Sequence, residues 1–288
     1  MKQILITGSQ GRIGQQLAPL LQAAGYTLRG FDTTPRNPLF ADQRVGDLRE
    51  LSAVRAAMQG IDAVVHLGAI PSDFADGEAV MQTNVMGTWN VLQAALEHGV
   101  RRAVIFSSIN AQGSVKGFWP VLQLPIDDDY PHHPMTPYQL SKHLGEEICR
   151  SFSERHGMVT LCLRPAWVTH DDHYVHPNFG TAQAVEIWRH EYWAYVDVRD
   201  VCDAVVRCLQ VEGILHDCFL LAAADTLAHL PTSELVQRYH PAVPWPHIPP
   251  DVYLAGHPFR SLVDCTRARE RLGWQPTRRW REASALAL

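Results

Sequence analysis

Short, almost wholly apolar runs alternate with helix-patterned segments through the first half of the chain. Ile4-Leu5-Ile6-Thr7 precedes Arg12 to Ala24, where Ile13, Leu17, Leu20 and Leu21 fall at helical spacing before Gly25. Tyr26 to Asp32 reads as the next strand, Leu48 to Met58 as a helix and Ala63 to Leu67 as a strand ending at Gly68. A long helix over 78–98, a strand over 103–106, a helix opening near Pro137 and a strand over 159–163 continue the series. Strands apolar on both faces must be covered on both sides, and this alternation implies parallel strands joined by helical crossovers. The expected fold is α/β, a doubly wound parallel sheet. After Pro165 the pattern loosens into helical stretches at 179–189, 200–210 and 264–272 and a proline-rich surface loop, Pro241 to Pro250. Residues 1–165 are therefore expected as one domain. Residues 166–288 form mainly a small C-terminal lobe, with 192–210 returning to the first domain.

Composition narrows the function. Hydrophobic residues make up 46% and charged residues 19% of the 288, enough for a packed core. A formal charge of −5 leaves no basic surplus to displace counterions from phosphates, so no nucleic-acid partner is expected. Arg278, Arg279 and Arg281 read as a solvated end. No run approaches the ~18 apolar residues of a bilayer span, so no membrane partner is expected either. Met1-Lys2 leads directly into a strand, and the six cysteines are scattered singly, five in apolar contexts, as free thiols are. A cytoplasmic location follows from that pattern.

The turn after the first strand carries three glycines in Thr7-Gly8-Ser9-Gln10-Gly11-Arg12-Ile13-Gly14. Glycines there permit a tight turn, a close backbone approach to a pyrophosphate and close packing of helix on strand. The helix N-terminus adds a positive field for the phosphates. Asp32 ends the next strand about 20 residues on, where a carboxylate binds ribose hydroxyls. A dinucleotide-binding (Rossmann) unit is the reading. The acid at Asp32 favours NAD over NADP, whose 2′-phosphate it would repel, although Arg29 and Arg36 flank it and could accommodate that phosphate. Asp47 is either an adenine contact or a helix N-cap.

Thr136-Pro137-Tyr138-Gln139 has the signals of a helix start: a threonine cap, proline in the first turn and glutamine to complete a capping box. Tyr138 and Lys142 then lie one turn apart on one face. An ammonium beside the phenol favours the phenolate, which makes the pair a plausible proton handler. By spacing alone the better reading is a packed tyrosine beside a solvated lysine.

With these residues in place, the chain resembles the extended short-chain dehydrogenase/reductase family of the NAD-dependent epimerase/dehydratase type. The matching segments run in order: Thr7 to Gly14, Gly46-Asp47-Leu48, His66-Leu67-Gly68-Ala69, Asn84-Val85-Met86-Gly87-Thr88 and Phe106-Ser107-Ser108. Tyr138 to Lys142, Arg164-Pro165, Tyr195 to Val201 and Leu272-Gly273-Trp274-Gln275-Pro276 complete them. The resemblance implies catalysis by Ser108, Tyr138 and Lys142, with Ser108 rather than Ser107 selected by its distance to Gly113. It implies cofactor contacts at Gly8, Gln10, Gly11, Arg12, Ile13 and Gly14, and at Asp32, Asp47 and Leu48. Further cofactor contacts are implied at Leu67, Gly68, Ala69, Asn84, Tyr138, Lys142 and Pro165, with Ala166 near the nicotinamide. Ser72, Ser108, Asn110, Tyr138 and Arg189 are the expected substrate contacts, Arg189 being the candidate partner of an anionic group.

The implied activity is NAD-dependent oxidation of a sugar-like secondary alcohol. The alternatives are an epimerase or dehydratase that keeps its cofactor bound, and a dinucleotide sensor without catalysis. Two departures bear on the substrate. Ala111-Gln112-Gly113 and the lysine-containing loop Ser114 to Gly117 replace the family's Val-Tyr-Gly, and the roughly 120 residues after Pro165 make a small lobe. Both suit a smaller substrate, as in the uronate-dehydrogenase branch. A homodimer through helices 78–98 and 137–156 is also implied.

The remaining signals read as structural. His170 to His176 is a substrate-facing or solvated loop and no metal is expected; His132-His133 is an exposed turn. Trp188, Trp193, Trp245 and Trp280 are packing anchors, and Asp200 caps the helix Val201 to Leu209.

Overall fold

A computed structural model of the chain describes residues 2–34, 40–174 and 179–285. Seven parallel strands form one sheet in the order β3-β2-β1-β4-β5-β6-β9. They are β1 (Gln3–Thr7), β2 (Thr27–Asp32), β3 (Asp42–Val45), β4 (Ala63–His66), β5 (Arg102–Phe106), β6 (Val159–Pro165) and β9 (His216–Leu221). A separate parallel pair joins β7 (Trp167–Thr169) to β8 (Tyr195–Asp197). The strand order reverses between β1 and β4, and a crevice opens there beyond the carboxyl ends of the strands.

Both faces of the sheet are covered. Leu17, Ala18 and Leu21 of α1 (Arg12–Ala23) and Val201 and Val205 of helix Val198–Gln210 pack on one face with Ile4, Ile6, Val65 and Val104. On the other, Leu5, Val64 and Ala103 meet Val54 of α2 (Leu51–Met58), Val91 and Leu92 of α4 (Gly87–Glu97), and Cys149 and Phe152 of α5 (Pro137–His156). A second core under the C-terminal lobe gathers Leu124, Ile126, Trp193, Tyr195, Leu220, Leu235 and Leu262.

Three elements depart from the sequence expectation. The long helix over 78–98 is instead α3 (Gly77–Val80), a π-helical segment Met81–Met86 and α4. Asp200 is not a cap: Asp197 accepts from the Arg199 amide at 2.8 Å, and the helix starts three residues earlier, at Val198. The Asp200 carboxylate instead accepts from the Thr277 hydroxyl at 2.7 Å and the Arg278 guanidinium at 2.8 Å, fastening the C-terminal segment. The chain also returns to the sheet as the strand β9, which the loosened pattern after Pro165 did not announce. Among the described residues no helix is long and apolar enough to cross a membrane. The six cysteines are free thiols, five of them buried.

Candidate active site

The crevice holds a cavity of about 1070 Å³ that reaches from the β1–α1 turn to the ends of β5 and β6. Gly8 has φ +67°, and a Cβ there would lie 2.7 Å from the Gly68 amide nitrogen. At Gly14 a Cβ would lie 2.8 Å from the Ser9 carbonyl oxygen. Any side chain at either position would fill the cradle, so the turn can only be built from glycine. Gln10, Gly11, Arg12 and Ile13 line the same end, as do Asp47, Leu48, Leu67, Gly68 and Ala69.

Asp32 lies at the cavity wall, held by the Gln10 amide at 3.0 Å and the Thr33 amide at 2.8 Å. Arg29 faces away, bound to Asp42 at 2.6 Å and to the Ala57 and Gln59 carbonyls, so it offers nothing to a 2′-phosphate. Arg36 lies outside the described residues. Asp47 binds the Arg49 amide and guanidinium, which holds its carboxyl below the usual range. The Gln10 side-chain oxygen is buried without a partner. A glycine-only cradle at a helix N-terminus, a carboxylate about 20 residues on and an unmet buried oxygen together fit a dinucleotide.

At the other end, α5 begins with the full capping box: Thr136 Oγ1 accepts from the Gln139 amide at 3.1 Å, and Gln139 Oε1 accepts back from the Thr136 amide. This rigid start places Tyr138 and Lys142 on the cavity wall. Ser108 shares that wall and lies close enough to the Tyr138 hydroxyl to draw its pKa down. Ser108 accepts from the Asn110 amide at 3.2 Å and from its Nδ2 at 3.1 Å. The turn after Ser108 closes at Gly113, φ +68°, where a Cβ would fall 2.0 Å from the His133 carbonyl oxygen. Lys142 Nζ donates to the Phe106 carbonyl at 2.7 Å and stands 5.8 Å from the Tyr138 ring centre.

Electrostatics here differ from the expectation. Burial pushes the Tyr138 phenol up to about 12, against the lowering by the Ser108 hydroxyl, and Asp73 raises it further. Lys142 is itself brought down to about 8 by burial, with Glu146 opposing. In the protein alone the lysine therefore does not make the phenol acidic, because desolvation of the phenolate outweighs a charge engaged with a carbonyl.

Ser107, the neighbour of Ser108, turns the other way and donates to buried Glu146 at 2.5 Å. Glu146 holds Arg164 with both carboxylate oxygens at 2.8 Å. Three of the expected contacts do not line the cavity. Asn84 spends its amide on the Ile70 backbone (2.8 and 3.1 Å) and Ser141 (3.0 Å), bracing the loop after β4. Ser72 accepts from the Phe74 amide at 3.1 Å. Arg189 is exposed and pairs with Glu186 at 3.3 Å, the bland surface role.

Pro165 and Ala166 do line the cavity, beside Asn110. Asp73, Lys116, Trp167, Trp188 and Glu191, which sequence reasoning did not assign as contacts, line it too, as does His170 of the loop read as substrate-facing or solvated. Lys116 bonds Glu191 at 2.9 Å and has φ +73°, and Trp188 stacks on Trp167 at 4.4 Å rather than serving only as packing. The departure at Ser114 to Gly117 was the one signal pointing to Lys116.

His132 is half-buried instead of exposed, with Nδ1 3.0 Å from His143 Nδ1. His132, His143 and Glu146 bring their ligand atoms within 4.8 Å, but the carboxylate is already taken by Arg164 and Ser107. Of the His170 to His176 loop, residues 175–178 lie outside the described ones.

Known proteins are similar to this chain in sequence and in fold. The chain is 32% identical over 164 residues to a uronate dehydrogenase of Pseudomonas syringae pv. tomato, covering 56% of this chain and 58% of that protein. It is 30% identical over 176 residues to an L-arabinose 1-dehydrogenase (NAD(P)(+)) of Haloferax volcanii, covering 58% and 68%. The alignment thus spans little more than half the length of the uronate dehydrogenase. A short-chain dehydrogenase/reductase superfamily protein of Agrobacterium tumefaciens with bound NAD has the same fold, with TM-score 0.75, 24% identity and coverage of 99% and 96%. The model of the NAD dependent epimerase/dehydratase family matches residues 4–216, and the chain belongs to that family.

Proposed function

We propose that the chain is an NAD-dependent oxidoreductase that oxidises a sugar-like secondary alcohol. The observation that carries this reading is the Tyr138 phenol, set with Ser108 and Lys142 at one end of the cavity whose other end is the glycine cradle. Gly8 to Gly14 would hold the pyrophosphate, Asp32 the adenosine ribose, and Lys142 the nicotinamide ribose, with Pro165 beside the ring. NAD bound there supplies the hydride acceptor. Ser108 orients the substrate hydroxyl and Tyr138 takes its proton. Held reactants supply much of the rate through orientation.

The raised phenol sets the sign of the pH dependence. A proton acceptor with a value above ambient pH is mostly protonated, and its basic form grows about tenfold per pH unit. Alcohol oxidation is therefore expected to accelerate as pH rises from about 7 to 9, while the reverse reduction, which needs the phenol as donor, gains nothing. Initial rates in both directions across that range check this, and an oxidation rate that falls with pH contradicts it.

Asp32 sets the cofactor preference. Asp32→Ser is expected to weaken NAD binding about tenfold and to narrow the preference over NADP, since the repelling carboxylate is gone. Fluorescence titration with NADH and NADPH measures both. An unchanged ratio contradicts the role.

Mixing the protein with NAD and a sugar panel while following NADH absorbance tests the whole reading. Released NADH supports the oxidoreductase. Isomerised or dehydrated sugar without it would identify an epimerase or dehydratase, and cofactor binding with no turnover a sensor.

The partner proposed besides the small-molecule substrate is a second copy of the chain. Met86, Trp89 and Leu140 are exposed apolar side chains around α4 and α5, and packing them between copies would cover both helices. Sedimentation at micromolar concentration distinguishes dimer from monomer. Free thiols fit a cytoplasmic location.

A further inference from the structure

We infer that the substrate end of the cleft selects neutral, hydroxyl-rich sugars over sugar acids and sugar phosphates. This rests on the oxidoreductase reading and adds the charge class of its substrate. Trp167 and Trp188 stack with their rings 18° apart and both line the cavity, an aromatic wall suited to the C–H face of a sugar ring. Away from Gln10 in the cradle, two buried polar atoms of lining residues have no partner: the Trp188 indole nitrogen, a donor, and the Asn110 Oδ1, an acceptor. Buried polar groups left unmet are costly, and a ligand that meets them gains accordingly. A sugar hydroxyl both donates and accepts, so it can serve either atom; a carboxylate or phosphate oxygen can serve only the donor.

The fixed charges point the same way. Lys116 is answered by Glu191 at 2.9 Å, both on the cavity wall. Lys142 is committed to the Phe106 carbonyl. The Asp73 carboxylate, also on the wall, accepts from the Thr136 hydroxyl at 2.5 Å and has no cationic partner among the described residues. Arg189, the cation expected to receive an acidic group, lies outside the cavity with Glu186. An anionic substrate would bring its charge beside Asp73 and Glu191, while the ammonium groups of the same wall, Lys116 and Lys142, are already bonded to Glu191 and the Phe106 carbonyl, and such repulsion discriminates against it. Neutral hydroxyls can instead bridge the Lys116–Glu191 pair, accepting from the ammonium and donating to the carboxylate.

The test compares kcat/KM with NAD for D-galactose against D-galacturonate, and for D-glucose against D-glucuronate and glucose 6-phosphate, with quenching of tryptophan fluorescence as a binding readout. The neutral member of each pair is expected to lead by at least about tenfold, and Glu191→Gln to narrow the gap by about tenfold by improving the acids. Equal values, or a lead for the acids, overturn the inference and leave the oxidoreductase reading intact. Saturable quenching by galactose but not galacturonate, with no NADH formed from any sugar, upholds the selectivity and overturns the redox reading. Neither quenching nor NADH from any sugar overturns both.

Discussion

Tyr138→Phe is expected to lower kcat about a thousandfold, within the range a positioned proton-transfer group contributes. The substitution removes one oxygen and keeps the ring on α5. Ser108 keeps its two Asn110 donors at 3.2 and 3.1 Å, so the turn it caps is retained. The glycine cradle lies at the opposite end of the cavity, so affinity for NADH is expected to stay within about twofold of the original. Steady-state rates with the substrate found in the panel, paired with a cofactor titration, separate the two effects. A variant that keeps a tenth or more of the turnover would remove Tyr138 from the chemistry. One that loses NADH affinity in parallel would show a structural role instead.

The largest effect on stability is expected from Glu146→Ala. Glu146 and Arg164 are each only 4% exposed, and their two 2.8 Å contacts tie α5 to the end of β6. Removing the carboxylate leaves the guanidinium buried, with the Asp128 carbonyl at 3.0 Å and His132 Nε2 at 3.4 Å as its remaining partners and no carboxylate bonded to it. Such uncompensated charges cost about 3–5 kcal/mol. Ser107 loses its acceptor in the same step, and Ser107 precedes Ser108, so turnover is expected to fall along with stability. Urea unfolding measures the first and kcat the second. Glu146→Gln keeps one acceptor for Ser107 and should fall between. A loss under about 1 kcal/mol for the alanine variant would mean that water or a rearranged neighbour meets Arg164.

Local chemistry explains which parts of this molecule could be read in advance. The β1–α1 turn and the start of α5 carry their instructions within a few residues: glycines that leave no room for a Cβ, and a capping box with proline in the first turn. Their site residues reach the cavity as anticipated. β9 begins His216-Asp217, polar residues that hide its strand character, and becomes a strand through its register with β6, Thr160 opposite His216. The Lys116–Glu191 pair joins positions far apart in the chain, and nothing in either segment announces the other.

Asn84 shows a different limit. Its motif was legible, but whether its amide would face the cleft or the Ile70 backbone depended on the π-helical turn around it. The protonation of Tyr138 was the hardest to anticipate. An i, i+4 lysine predicts a lowered phenol, yet burial acts on the same group with the opposite sign and is stronger.

Transfer of a labelled hydrogen tests the proposed chemistry most directly. The best sugar of the panel, deuterated at the carbon that is oxidised, is incubated with NAD, and the reduced cofactor is isolated and weighed by mass spectrometry. Reduced cofactor carrying one deuterium, formed by the native chain and absent with Tyr138→Phe, is the predicted result. Unlabelled reduced cofactor, or label arriving undiminished with Tyr138→Phe, would contradict an oxidation in which this phenol takes the alcohol's proton.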